Sequence, residues 1–139
     1  MNASFEEKSA WIQLTSLLVS LGAYFLLAGR MLFEGVDVLP FYVPLFTIAV
    51  ISIVLINVVG HIAASIMAPD TGKDERDKLI GWRAESNAAW ILAVGVLLAI
   101  VCMILSVKVV WIAHLLLLAL FVSDSVKYTL QLVYYNRGV

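Results

Sequence analysis

Asp124, Lys127, Tyr128, Gln131 and Tyr135 recur at the spacing i, i+3, i+4, i+7 and i+11, which puts all five on one face of a helix. Asn57 and His61 stand one turn apart in a second apolar run, and Glu85 and Asn87 lie at the start of a third. Glu6, Glu7, Lys8 and Arg83 fall at the same depth. A carboxylate, an ammonium, a phenol, two carboxamides and an imidazole with an unperturbed pKa of about 6.5 could hold a small polar molecule or move a proton. Asn57, His61, Glu85, Asn87, Asp124, Lys127 and Tyr128 are therefore the candidate ligand-binding residues. Catalysis has weaker support. The chain carries no nucleophile–base pair, GxSxG elbow or Gly-rich phosphate loop, and neither HExxH nor CxxC. No catalytic residue, metal or cofactor is expected. His61, Asp124 and Glu85 lack a recurring metal-ligand spacing. A bis-histidine haem fails on depth: His61 lies about 30 Å below the outer edge of its helix and His114 only about 8 Å below the outer edge of its own. The single cysteine, Cys102, is expected to be a buried structural thiol.

The elements that must position these residues are set by hydropathy. Of 139 residues, 63% are hydrophobic and 14% charged, too little polar surface to cover a water-soluble globule, so the apolar fraction must face lipid. The uncharged runs define four spans, at about 11–29, 41–67, 86–107 and 109–130, each able to cross a core of about 30 Å as a helix. The expectation is an all-α polytopic membrane protein, one domain over 1–139, with four transmembrane helices in a compact bundle. The opening MNASFEEKSA has no basic n-region, so the first span reads as retained rather than cleaved. Pro40 and Pro44 sit where a helix may begin, and Pro69 where one ends.

Charge gives the orientation. Lys8, Lys73, Arg76, Lys78, Arg83, Lys127 and Arg137 fall on one side and Arg30 and Lys108 on the other, which predicts that both termini are cytoplasmic. Nine of the nineteen Lys, Arg, Asp and Glu residues lie between Pro69 and Ala88. An Asp70-Thr71-Gly72 turn offers capping oxygens to a helix starting near Lys73, so a charged helical extension over 73–85 is expected to run into the third span. Its acidic and basic turn, Asp74, Glu75, Arg76 and Asp77, is the candidate partner-contacting segment. A net charge of −1 argues against direct binding of nucleic acid.

Asp124 should lie about one turn inside the hydrocarbon, where a charge needs a partner, and Lys127, His61 and Asn57 are at its depth. The segments EKSAWI and ESNAAWI, each entering an outgoing helix, suggest two pseudo-repeated helical hairpins related by an axis along the membrane normal. Small residues four apart, Ser16 and Ser20, Ala64 and Ala68, Ala89 and Ala93, Gly95 and Ala99, permit close helix approach and are compatible with a homo-oligomer.

FEEKSAWIQL, the stretch DERDKLIGWRAESNAAWILAVGVLLA and the ending WIAHLLLLALFVSDSVKYTLQLVYYNRG together resemble a family of small bacterial inner-membrane proteins classed as a domain of unknown function. The most specific elements are Asp74-Glu75-Arg76-Asp77 ahead of Leu79 and Ile80, and the run from Val126 to Tyr135. His114 departs from the polar residue, often Asn, that the family carries there. The resemblance implies no enzyme activity, and it implies a helix-turn-helix regulator, often encoded alongside, as a cytoplasmic partner. Two readings follow: a non-enzymatic sensor or adaptor whose polar collar binds a small molecule or lipid, and a dimeric proton-coupled transporter with Asp124 as coupling carboxylate.

Overall fold

Within hydrocarbon every backbone N–H and C=O must be satisfied inside its own segment, so the apolar runs fold as helices. The computed structural model describes residues 5–67 and 74–137. They form α1 (Phe5–Phe33), α2 (Val43–Met67), α3 (Glu75–Ile104) and α4 (Val109–Arg137), with a single 3-10 turn, Leu39–Tyr42, leading into α2. All four helices are long and apolar enough to cross a membrane, and no strand occurs among the described residues. The all-α, four-helix membrane architecture is thus as expected. The chain alternates direction, so the start of α1, the end of α2, the start of α3 and the end of α4 share one end of the molecule, here the charged end.

Pro40 opens the 3-10 turn and Pro44 sits in the first turn of α2, where their missing N–H groups leave no gap in the ladder. Asp74 caps α3: its carboxylate accepts from the Glu75 N–H at 2.7 Å, and Asp77 closes a capping box with it. The stop at Pro69, the cap at Asp70-Thr71-Gly72 and the start at Lys73 lie outside the described residues. From Glu75 the helix runs unbroken to Ile104, so the charged extension and the apolar span are one helix.

At the opposite end two turns share one geometry. Gly35 (φ +87°) and Ser106 (φ 58°) each adopt the left-handed conformation that ends a helix. Each is followed by a valine whose N–H reaches back five residues, Val36 to the Met31 carbonyl and Val107 to the Cys102 carbonyl, both at 3.0 Å. The next residues, Asp37 and Lys108, then meet across the tips with Nζ 2.6 Å from Oδ2.

The helices lie side by side in the order α2, α1, α4, α3. On α3 the face toward α4 is Ile80, Ala84, Ala88, Gly95 and Ala99, all buried, and a Cβ placed on Gly95 would collide with the Ala119 Cβ. Ala89 and Ala93, expected to pack helices together, are instead exposed on the other face. Ala64 is buried, as are Ser16 and Ser20, while Ala68 lies outside the described residues. The two hairpins are present, but a twofold exchanging α1 with α3 and α2 with α4 would map the α1–α4 face onto an α2–α3 face, and those helices scarcely touch. Only Ala49 and Ala64 of α2 are buried, so most of that helix is left to lipid. Cys102 is half-buried rather than buried; it continues the small-residue stripe into the last turn of α3, where the helix ends.

Candidate functional site

The α4 stripe does meet polar residues of its neighbours. At the charged end Glu6, Ser9 and Gln13 of α1, Asp77, Gly81 and Glu85 of α3, and Lys127, Tyr128, Gln131 and Tyr135 of α4 enclose a pocket of about 210 Å³. Helical spacing on each element makes this convergence: Asp77, Gly81 and Glu85 are four apart, and the α1 residues follow i, i+3 and i+7. Two contacts tie the charged turns of α3 to α4 across it. The Tyr135 hydroxyl donates to Asp77 Oδ1 at 3.0 Å, and Lys127 Nζ lies 3.6 Å from Glu85 Oε2. Lys127 extends its stem along the helix, with its ammonium 5.6 Å from the centre of the Tyr128 ring. Burial, then the hydrogen bond to Asp77 and the charges of Asp77, Glu6 and Glu7, holds the Tyr135 phenol above the ordinary phenol range.

His61 and Asn57 do not face this pocket. They face α1, where they build a ladder with Ser9 and Ser16. His61 Nδ1 lies 2.7 Å from the Asn57 carbonyl, which can only accept, so Nδ1 carries the proton. For the neutral ring Nε2 then accepts from the Ser9 hydroxyl at 2.8 Å, and Gln13 donates to the same hydroxyl at 3.1 Å. Asn57 Nδ2 donates to Ser16 Oγ at 2.8 Å, which in turn donates to the Gln13 carbonyl at 2.9 Å. Asn87 is elsewhere again, exposed and donating to the Tyr134 hydroxyl at 2.9 Å. The expected collar is therefore divided: His61 and Asn57 reach the pocket only through Ser9 and Gln13 of α1, which belong to both the pocket and the ladder, and Asn87 stands apart.

Asp124 was expected to pair with Lys127, His61 or Asn57. It pairs with none of them, since Glu85, Ser9 and Ser16 respectively have taken those groups. Among the described residues its carboxylate makes no hydrogen bond or ion pair. It faces the molecule all the same, at the inner end of a 400 Å³ groove with Gln13, Ser16, Asn57 and Tyr128 around it.

In the partner-contacting segment, Asp74 and Asp77 are engaged in the capping box and Asp77 also holds Tyr135, while Glu75 and Arg76 are exposed. His114, expected as a polar packing residue, is at the heart of an aromatic cluster. Nδ1 donates to the Val110 carbonyl at 2.7 Å, and Nε2 accepts from the Tyr24 hydroxyl at 2.9 Å. The Tyr24 ring stacks on it, and Tyr42 meets it edge-on at 4.6 Å.

Ser9, Gln13, Ser16, Tyr24 and Tyr42 are the participants that sequence reasoning passed over. The signal for the first three was available: Ser9, Gln13 and Ser16 fall on one face of α1 at i, i+4 and i+7, the same spacing rule that singled out α4. No family model, no curated protein and no solved structure matches the chain.

Proposed function

We propose that this protein is a non-enzymatic membrane sensor or adaptor: a small polar molecule or lipid headgroup enters the pocket at the charged end, and the capped start of α3 presents the result to a cytoplasmic protein. The observation that carries this reading is the pair of contacts, Tyr135 to Asp77 and Lys127 to Glu85, which span the pocket and anchor the exposed turn bearing Glu75 and Arg76. A ligand that competes for Asp77 or Lys127 changes how that turn is held. The Lys and Arg asymmetry supports a cytoplasmic charged end, and the resemblance suggests a bacterial inner membrane and a helix-turn-helix regulator as the first partner to try.

The alternative is a proton-coupled transporter, monomeric or dimeric, which needs access from both sides; on the outer half Tyr24 and His114 satisfy one another's polar groups beside a 420 Å³ cavity. The test is capture from the native cytosol by tagged protein in nanodiscs, with bound proteins and small molecules identified by mass spectrometry. A sensor recovers a defined partner, and Asp77→Asn with Glu85→Gln changes the recovery. Recovery of no partner, or one indifferent to both substitutions, refutes the reading.

A further inference from the structure

Two cavities larger than the polar pocket lie outside it. One, of 420 Å³, lies between Val43 and Phe46 of α2 and His114 and Leu117 of α4; the other, of 400 Å³, continues from Phe46 and Leu117 to Asp124. Phe46, Leu117 and Leu120 line both, so the two are one groove. Its floor is α1, through Leu17, Leu21 and Tyr24. From His114 to Asp124 it runs ten residues of α4, about 15 Å at the helical rise. Its walls are apolar, and because α2 and α4 scarcely touch it lies open along its side, with Phe46 41%, Val50 40% and Leu120 42% exposed.

One end of this groove is charged. Asp124 makes no ion pair or hydrogen bond among the described residues: the Lys127 charge, three residues on, reaches it through space, but that ammonium sits beside Glu85, and the Asn57 amide and Ser16 hydroxyl are engaged with one another. A carboxylate in hydrocarbon requires a cation, hydrogen bonds or a proton. Gln13 and Tyr128 line both this groove and the polar pocket, so a polar edge leads from the charged end to Asp124. We propose that the groove is a binding site for a single-chain alkyl ammonium, its tail along Phe46, Leu117 and Leu120 and its ammonium on the Asp124 carboxylate. Volume suits such a ligand, since small-molecule sites begin at about 300 Å³ and are mostly apolar with a few placed polar groups. A two-chain lipid suits it less: the groove follows a single path along Phe46, Leu117 and Leu120, and Asp124 lies one to two turns inside the expected end of the span at about 130. This site is distinct from the polar pocket and does not depend on the sensor reading.

The experiment uses three probes with one photoreactive dodecyl tail and different heads: an ammonium, a hydroxyl and a carboxylate. Each is added at trace level to the protein in phosphatidylcholine nanodiscs, illuminated, and its adducts mapped by peptide mass spectrometry. The ammonium probe should label the groove segments of α2 and α4 about tenfold more than the alcohol, as a desolvated charge-assisted hydrogen bond implies, and the carboxylate least. Asp124→Asn should bring ammonium and alcohol to parity without lowering alcohol labelling, Asp124→Glu should keep the preference, and Leu120→Trp, which fills the groove, should reduce all three. Replacing part of the phosphatidylcholine with phosphatidylethanolamine should leave ammonium labelling unchanged. Parity in the wild type overturns the proposal without recourse to any variant. So does a preference that survives Asp124→Asn, or labelling abolished by phosphatidylethanolamine, which would assign the groove to a lipid headgroup.

Discussion

Gly95→Ala sets two effects of opposite sign against each other. An interior Gly to Ala change in a helix gains about 0.5–1 kcal/mol from backbone entropy and propensity. At Gly22, where a new Cβ meets nothing within 4 Å, that gain should appear unopposed. At Gly95 the new methyl group is built into the Ala119 Cβ, with the Ala119 Cα 3.6 Å from it. Neither atom can rotate aside, so α3 and α4 must separate. Overpacking of this kind costs about 1–3 kcal/mol, so Gly95→Ala should destabilise by about 1–2 kcal/mol net while Gly22→Ala stabilises. The double change Gly95→Ala with Ala119→Gly should recover most of the loss, since the methyl group then sits on the other helix. Reversible unfolding in mixed micelles, run as a double-mutant cycle, measures all four species. If Gly95→Ala stabilises as much as Gly22→Ala does, or if Ala119→Gly fails to rescue it, the α3–α4 contact is not as described. The consequence reaches the pocket, because Asp77 and Glu85 ride on α3 and their partners Tyr135 and Lys127 on α4.

Ser106→Gly should stabilise by about 0.5–1 kcal/mol by removing a side chain from a left-handed backbone, seen as a raised unfolding midpoint. Tyr24→Phe should cost about 1–3 kcal/mol by leaving His114 Nε2 buried without its donor, and adding His114→Phe should recover part of that loss. Tyr135 should ionise late in an ultraviolet titration. Because its folded pKa is raised, its contribution to stability is complete below about 10, the ordinary phenol value, and is lost as pH climbs towards the folded value, and Asp77→Asn should bring the titration earlier. Asp37 has the opposite sign: the hydrogen bond from Lys108, and then its charge, lowers the Asp37 pKa. That contribution is present above the ordinary carboxylate value of about 4 and is lost as pH falls through the lower folded value, so Asp37→Asn should lower stability at neutral pH, leave the most acid values unchanged and so flatten the acid limb of a stability profile.

The helices and the α4 stripe were legible because hydropathy and the 3.6-residue period are properties of a single segment. Glu85, Lys127 and Tyr128 line one pocket, and Asp77, read from the sequence only as part of the partner-contacting turn, lines it too. Partner choice was not legible, because it depends on which helices are neighbours, and the order α2, α1, α4, α3 is decided by where alanine and glycine let backbones approach. That order sends His61 and Asn57 to the serines of α1 and leaves Asp124 facing a groove. Ser106 gave no signal because only a glycine advertises a left-handed turn. The depth of His114 was legible, but its company was not: Tyr24 and Tyr42 are far away in sequence and adjacent only once α1 packs on α4.

The ladder of Ser9, His61, Asn57 and Ser16 and the seam of Ala84, Ala88, Gly95 and Ala99 hold their hairpins by different physics. The seam is mainly dispersion between close backbones, with a buried hydrogen bond from Ser123 to the Ala88 carbonyl, and hydration and bilayer thickness alter it less than the polar contacts at the charged end. The ladder is hydroxyl, imidazole and amide hydrogen bonding near the charged end, where water competes as soon as it can enter. Thinning the bilayer, or loosening its inner leaflet with short-chain or strongly curved lipids, draws the water boundary up to His61 and weakens α1 on α2 while α3 on α4 stays shut. The molecule thus has one stiff half and one half whose cohesion follows the lateral pressure of the surrounding membrane.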